Sequence, residues 1–133
     1  MTIRRGNPSD LPLIQRLNQE LFQYEHDQHF YEGDTYNLNW PYEEDGIKYL
    51  EECLGDNPAS ALFVAEIDAR SVGYLAASCY ARSYRTHSPV GYLDNMYVCP
   101  VYRSQGIGTA LIDAFKVWVA ANGAGLIRVS AMV

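Results

Sequence analysis

The chain has 133 residues, of which 48% are apolar and 20% charged, with a net charge of -6 at pH 7. That is enough chain for one domain with a buried core and too little for two, and its acidic balance argues against a nucleic-acid surface, which carries a basic face. No stretch approaches the ~20 apolar residues of a bilayer span, and Gly6-Asn7-Pro8-Ser9-Asp10 stands where a signal peptide would carry its apolar run, so a cytoplasmic location away from membranes is expected.

Thr2 to Arg5 reads as a short strand. Ser9 or Asp10 can cap the helix that follows, in which Leu13, Ile14, Leu17 and Leu21 share one face. From Gln23 to Trp40 the periodicity breaks into aromatics, histidines and acids, which reads as an irregular surface segment. A second helix over roughly Tyr42 to Leu54 places Ile47, Leu50 and Leu54 together and ends at Gly55-Asp56-Asn57-Pro58. Ala61 to Ile67 and Val72 to Ala81 are strand-like and flank Asp68-Ala69-Arg70-Ser71, predicting an antiparallel hairpin. Arg82 to Pro89 is a polar loop and Val90 to Val98 a further strand. After a glycine-containing loop comes a helix from about Gly108 to Ala121, with Leu111, Ile112, Phe115 and Trp118 inward and Asn122-Gly123 at its end. Leu126 to Val133 is a last strand. The order predicts a single α+β domain over 1–133, with strand, loop, helix and strand forming one βαβ unit near its end.

Three cysteines (Cys53, Cys79 and Cys99) at wide spacing suggest neither a disulfide framework nor a zinc knuckle, and read as buried or half-buried free thiols, with an acyl-carrying nucleophile as the alternative. Charge is unevenly spread. Between Glu20 and Asp56 stand eleven acids against the single base Lys48, and the rest of the chain is net positive. Such a division suits a cationic substrate on one part of the surface and an anionic one on another. Glu25-His26-Asp27-Gln28-His29 has no matching third ligand cluster, so no metal is expected there. His87 reads as a surface residue. Tyr31, Tyr36, Trp40 and Tyr42, set among acids, read either as an acceptor pocket for a cation or as packing for the second helix.

The loop Arg103-Ser104-Gln105-Gly106-Ile107-Gly108 carries the sharpest signal. A strand that turns through two glycines into an amphipathic helix presents unpaired backbone N–H groups at the positive end of the helix dipole, which is a phosphate site. The Walker pattern is absent, and the spacing differs from that of a dinucleotide fold. The run Val98-Cys99-Pro100-Val101-Tyr102-Arg103-Ser104-Gln105-Gly106-Ile107-Gly108-Thr109-Ala110-Leu111 closely resembles the acetyl-CoA motif of the GNAT superfamily of N-acetyltransferases, whose core is Arg/Gln-x-x-Gly-x-Gly/Ala. The likeness extends to Ile3-Arg4-Arg5, to Asp10-Leu11 and to the order of elements.

The resemblance implies a GNAT-like fold, a mixed, largely antiparallel sheet flanked by helices. It implies acetyl-CoA as acyl donor, with Met96, Tyr97 and Val98 bonding the pantetheine arm through their main chain, and Ser104, Gln105, Gly106, Ile107, Gly108 and Thr109 around the pyrophosphate with Arg103 adding charge. A bulge in this strand is expected to splay it from Leu126 to Val133, opening a slot for the thioester. An amine held there attacks directly, through a tetrahedral intermediate. Leu93-Asp94-Asn95-Met96-Tyr97-Val98 resembles the Leu-Glu-Asp-Leu-Tyr-Val strand of polyamine-type members, which makes Asp94 the candidate to remove the ammonium proton, directly or through water, or to bind the ammonium, with a plain structural role as the alternative. The expected acceptor is a primary amine on a small cationic, polyamine-like molecule. A protein N-terminus or lysine is the alternative, and a non-catalytic CoA-binding module the reading from another class. Members usually continue with an Asn-x-x-Ala helix, often bearing a thiolate-protonating tyrosine, and two further strands. These do not follow Met132-Val133, so a C-terminally truncated domain is expected, or one completed by a partner such as a second copy.

Overall fold

The Ser60–Ile67 and Arg70–Tyr80 segments each carry an unbroken central run of buried residues, which requires cover on both faces of the sheet they form. The computed structural model describes residues 1–28, 37–81 and 89–129. Its strands are β1 (Thr2–Arg5), β2 (Ser60–Ile67), β3 (Arg70–Tyr80), β4 (Val90–Val98) and β5 (Leu126–Val129), in the spatial order of their sequence. The first four pair antiparallel, and β4 and β5 pair parallel across the βαβ crossover. Helices α1 (Leu11–Gln28) and α2 (Glu44–Leu54) cover one face, and α3 (Ile107–Ala121) covers the other.

The period-two alternation of strand side chains divides the core accordingly. Leu62, Val64, Tyr74 and Ala76 meet Ile14, Leu17, Leu50 and Leu54 on the α1/α2 side. Ala61, Phe63, Ala65, Leu75 and Ala77 meet Ile107, Leu111, Phe115 and Val119 on the α3 side. Ile112 and Trp118, expected inward, are half-buried at the edge of that cluster. α3 ends in a Schellman arrangement: Ala124 N–H bonds Val119 O at 3.2 Å, Gly123 N–H bonds Ala120 O at 3.0 Å, and Gly123 takes φ +79°.

Three expectations are corrected. A 3-10 turn over Pro8–Asp10 leads into α1, and the residue that caps it is Asn7, not Ser9 or Asp10. Its side chain accepts the Ser9 N–H at 3.0 Å, while Asp10 accepts the Asn7 N–H at 2.8 Å as the reciprocal partner of a capping box. Asp10 is also held at 2.8 Å by both terminal nitrogens of Arg4, which bonds Glu66 as well. Second, α1 continues through Gln23–Gln28, where an irregular segment was expected. These turns are polar all round and carry no apolar stripe, and a Gln23–Asp27 side-chain bond at 2.8 Å spans i to i+4. Third, the β2–β3 connection is only Asp68-Ala69, both at positive φ, a tight hairpin turn that leaves Arg70 and Ser71 in the strand.

Candidate active site

Beyond β4 the chain makes a 3-10 turn over Pro100–Tyr102, and Gly106 (φ +81°) then starts α3 without any side-chain cap. The first helical bond runs from Ala110 N–H to Gly106 O at 3.0 Å. The amides of 106–109 therefore have no intrahelical acceptor, and they sit at the positive end of the α3 dipole. A Cβ placed on Gly106 would meet no protein atom within 4 Å, and one on Gly108 would meet only Met96 Cε at 3.8 Å. Both glycines thus face open space.

That space is a groove of about 410 Å³. It is lined by Met96, Tyr97 and Val98 of β4, by Arg103, Ser104, Gly106, Ile107, Gly108 and Thr109 of the loop and helix start, and by Tyr102. Of the positions expected at the donor site, Gln105 alone is not in this lining; its amide lies 3.5 Å from the Val101 carbonyl. The opposite wall consists of Leu21, Tyr24 and Glu25 of α1; the last two were missed by sequence reasoning because Gln23 to Asp27 carried no helical signal. Arg103 belongs to the wall. Its Nε donates to Val98 O at 2.9 Å, and its guanidinium lies 4.5 Å over the Tyr24 ring and 5.6 Å from that of Tyr97.

The expected bulge falls at Asp94. Leu93 pairs with Ala77 and Asn95 with the adjacent Ala76, so Asp94 is the extra residue. Pairing with β5 stops one residue earlier, at Leu93–Val129, so among the described residues 94–98 have no strand on that side. The exposed Asp94 carboxylate accepts two hydroxyl bonds on Oδ2, from Tyr49 of α2 at 2.6 Å and from Ser78 of β3 at 2.5 Å. Burial, reinforced by nearby Cys53 and Asp94, pushes the Tyr49 phenol above its ordinary value. The Tyr49 ring lies 5.7 Å from Trp40, which lies 5.7 Å from Phe22.

All three cysteines are free, and burial raises each thiol, that of Cys53 to about 11, which disfavours a thiolate nucleophile. Among the described residues no three or more His, Cys, Asp or Glu side chains gather as a metal site, and no helix is long and apolar enough to cross a membrane. Of the expected acceptor aromatics, Trp40 and Tyr42 lie in the 3-10 turn before α2, half-buried and exposed respectively. Tyr31 and Tyr36, the metal candidate His29, His87 with the rest of 82–88, and 130–133 of the last strand lie outside the described residues.

The model of the acetyltransferase (GNAT) family matches residues 16–132. The chain belongs to the GNAT family. A curated relative of this GNAT chain is the aminoglycoside N(6')-acetyltransferase type 1 of Stenotrophomonas maltophilia, 29% identical over 82 residues, which are 59% of this chain and 53% of that protein. The chain thus spans about half the length of the curated relative it matches. Among solved structures, the aminoglycoside acetyltransferase meta-AAC0020 from an uncultured soil metagenomic sample, in complex with sisomicin, is 25% identical with a TM-score of 0.67, covering 98% of this chain and 77% of that one. AAC(6')-Iy in complex with a bisubstrate analog, CoA-S-monomethyl-acetylneamine, is 23% identical with a TM-score of 0.68, covering 98% and 79%. An integron cassette protein from the mobile metagenome of Cole Harbour Salt Marsh has a TM-score of 0.77 at 21% identity, covering 97% and 76%. These likenesses place the chain in the GNAT fold.

Proposed function

We propose that this GNAT chain transfers an acetyl group from acetyl-CoA to a primary amine of a small polycationic molecule. The observation that carries the reading is the meeting of uncapped amides 106–109 with the stretch of β4 that, among the described residues, has no neighbour on its β5 side, in one groove. That donor set suits a diphosphate joined to an extended amide-bearing arm. The amides of 106–109 and the Arg103 cation would take the diphosphate, and the main chain of Met96, Tyr97 and Val98 would pair with the arm. When bound, acetyl-CoA supplies an activated thioester carbonyl; the new C–N bond forms as the C–S bond breaks, and the departing thiolate takes up a proton. Asp94, at the bulge where β4 leaves β5, accepts the proton that the attacking ammonium must lose, directly or through water.

The polyamine-like acceptor expected from the sequence becomes a broader class here, with amino sugars foremost, since curated and structural relatives are named aminoglycoside acetyltransferases. The acids of the 20–56 segment and the Phe22, Trp40 and Tyr49 rings, which lead to Asp94, suit a cation with an apolar face. The test is release of free coenzyme A in the presence of aminoglycosides, linear polyamines and peptide amines, beside a thermal shift with acetyl-CoA. A shift with turnover of aminoglycosides is expected. A shift without turnover of any amine would favour a binding module, and no shift would refute the donor site.

A further inference from the structure

We propose that Tyr49 and Ser78 are positioning residues that fix the Asp94 carboxylate by gripping its Oδ2, leaving Oδ1 directed to the acceptor amine. The proposal rests on the reading of Asp94 as the proton acceptor. Both hydroxyls reach the same oxygen, Tyr49 at 2.6 Å and Ser78 at 2.5 Å. They come from elements 45 and 16 residues away in sequence, a helix and the neighbouring strand, so the carboxylate is tied to two independent parts of the fold.

An aspartate on an exposed bulge would otherwise turn freely about two side-chain torsions. Only a fraction of its conformers would point a lone pair at an incoming ammonium. Two donors on one oxygen remove that freedom before substrate arrives, which is where preorganisation gains rate. The phenol is a dependable donor. Burial keeps it protonated well beyond its ordinary range, and its ring is held against Trp40 at 5.7 Å. It can therefore orient the carboxylate without competing with it for the proton.

The experiment measures steady-state coenzyme A release by the full chain with acetyl-CoA and the best amine of the panel, for Tyr49→Phe, Ser78→Ala, Asp94→Asn and the Tyr49→Phe/Asp94→Asn double variant. Tyr49→Phe keeps the ring and loses only the hydroxyl. It is expected to lower kcat about 10-fold while KM for acetyl-CoA stays unchanged, and to have no further effect once Asp94 is asparagine. Ser78→Ala should act in the same direction and provides the reading if Tyr49→Phe fails to fold. Wild-type kcat in both single variants, with Asp94→Asn impaired, overturns the positioning role and leaves the function standing. So does an effect of Tyr49→Phe that simply multiplies with that of Asp94→Asn. A fully active Asp94→Asn, or no turnover of any amine by the unsubstituted chain, overturns the reading of Asp94 and this proposal with it.

Discussion

Replacing Gly106 with alanine separates what that residue does for the fold from what it does for a ligand. At φ +81° an L side chain costs roughly 1–2 kcal/mol, but the new methyl meets no protein atom within 4 Å, so no clash adds to the strain. Spread over the unfolding entropy of a domain this size, that strain lowers Tm by about 3–7 °C. The open space it enters is where a diphosphate would approach the amides of 106–109. Losing one or two charge-assisted bonds of ~1.5–3 kcal/mol each weakens acetyl-CoA on the order of 10- to 10⁴-fold. Gly108→Ala is the control, because it lies inside α3 and its methyl makes only an ordinary 3.8 Å contact with Met96. It should raise stability by about 0.5–1 kcal/mol, and the Gly/Ala alternative of the motif predicts affinity close to wild type. Calorimetric titration with acetyl-CoA and thermal unfolding of both variants read the two effects independently. An alanine at 106 that binds as tightly as glycine would refute the cradle, whatever happened to Tm.

Three further outcomes are expected. The two-pronged Arg4 bond holds the Asp10 carboxyl below its ordinary 3.8 against the opposing cost of burial, with the Asn7 N–H helping. Its folded value is thus lower than its unfolded one, so its stabilisation is complete above the unfolded 3.8 and is lost as pH falls from there through the lower folded value. Asp10→Asn should cost about 1 kcal/mol at pH 7 and flatten acid destabilisation in urea titrations between about pH 5 and 2; an unchanged slope there would count against the pair. Ala69→Gly relieves a φ of +62° in the β2–β3 turn and should stabilise by about 1 kcal/mol in the same titrations, with a loss contradicting the turn geometry. Tyr24→Ala strips the ring beneath Arg103 and should weaken acetyl-CoA a few-fold in calorimetry, whereas Tyr24→Phe should retain affinity; equal affinities in all three proteins would exclude the contact from binding.

The bounds of β1 and β4 were legible because their strand character is sharply bracketed, by Gly6-Asn7-Pro8 after the first and by Cys99-Pro100 after the second. The glycine loop was legible because its chemistry is main-chain and needs only the residues that allow it. Other features depend on side chains far apart in sequence. The Tyr49, Ser78 and Asp94 cluster is assembled by one helix and two strands, and no local pattern in any of them announces it. The wall formed by Tyr24 and Glu25 was hidden for a related reason: the last turns of α1 are built of polar residues and show no apolar periodicity to read.

The irregularity at Asp94 also has a bearing on deletions. Leu93, Met96 and Val98 lie toward α3, and Tyr97 packs on the opposite side, although the count from 93 to 97 is even. The intervening unpaired residue reverses the odd–even phase of the pleat. Excising Asp94 alone would therefore join Leu93 directly to Asn95, with Ala77 and Ala76 still opposite them, and every remaining β4 residue would keep its neighbour and its side of the sheet. A shortened chain of that kind should fold into an uninterrupted ladder lacking both the carboxylate and the kink, because the ladder has no need of the one residue proposed to take the proton.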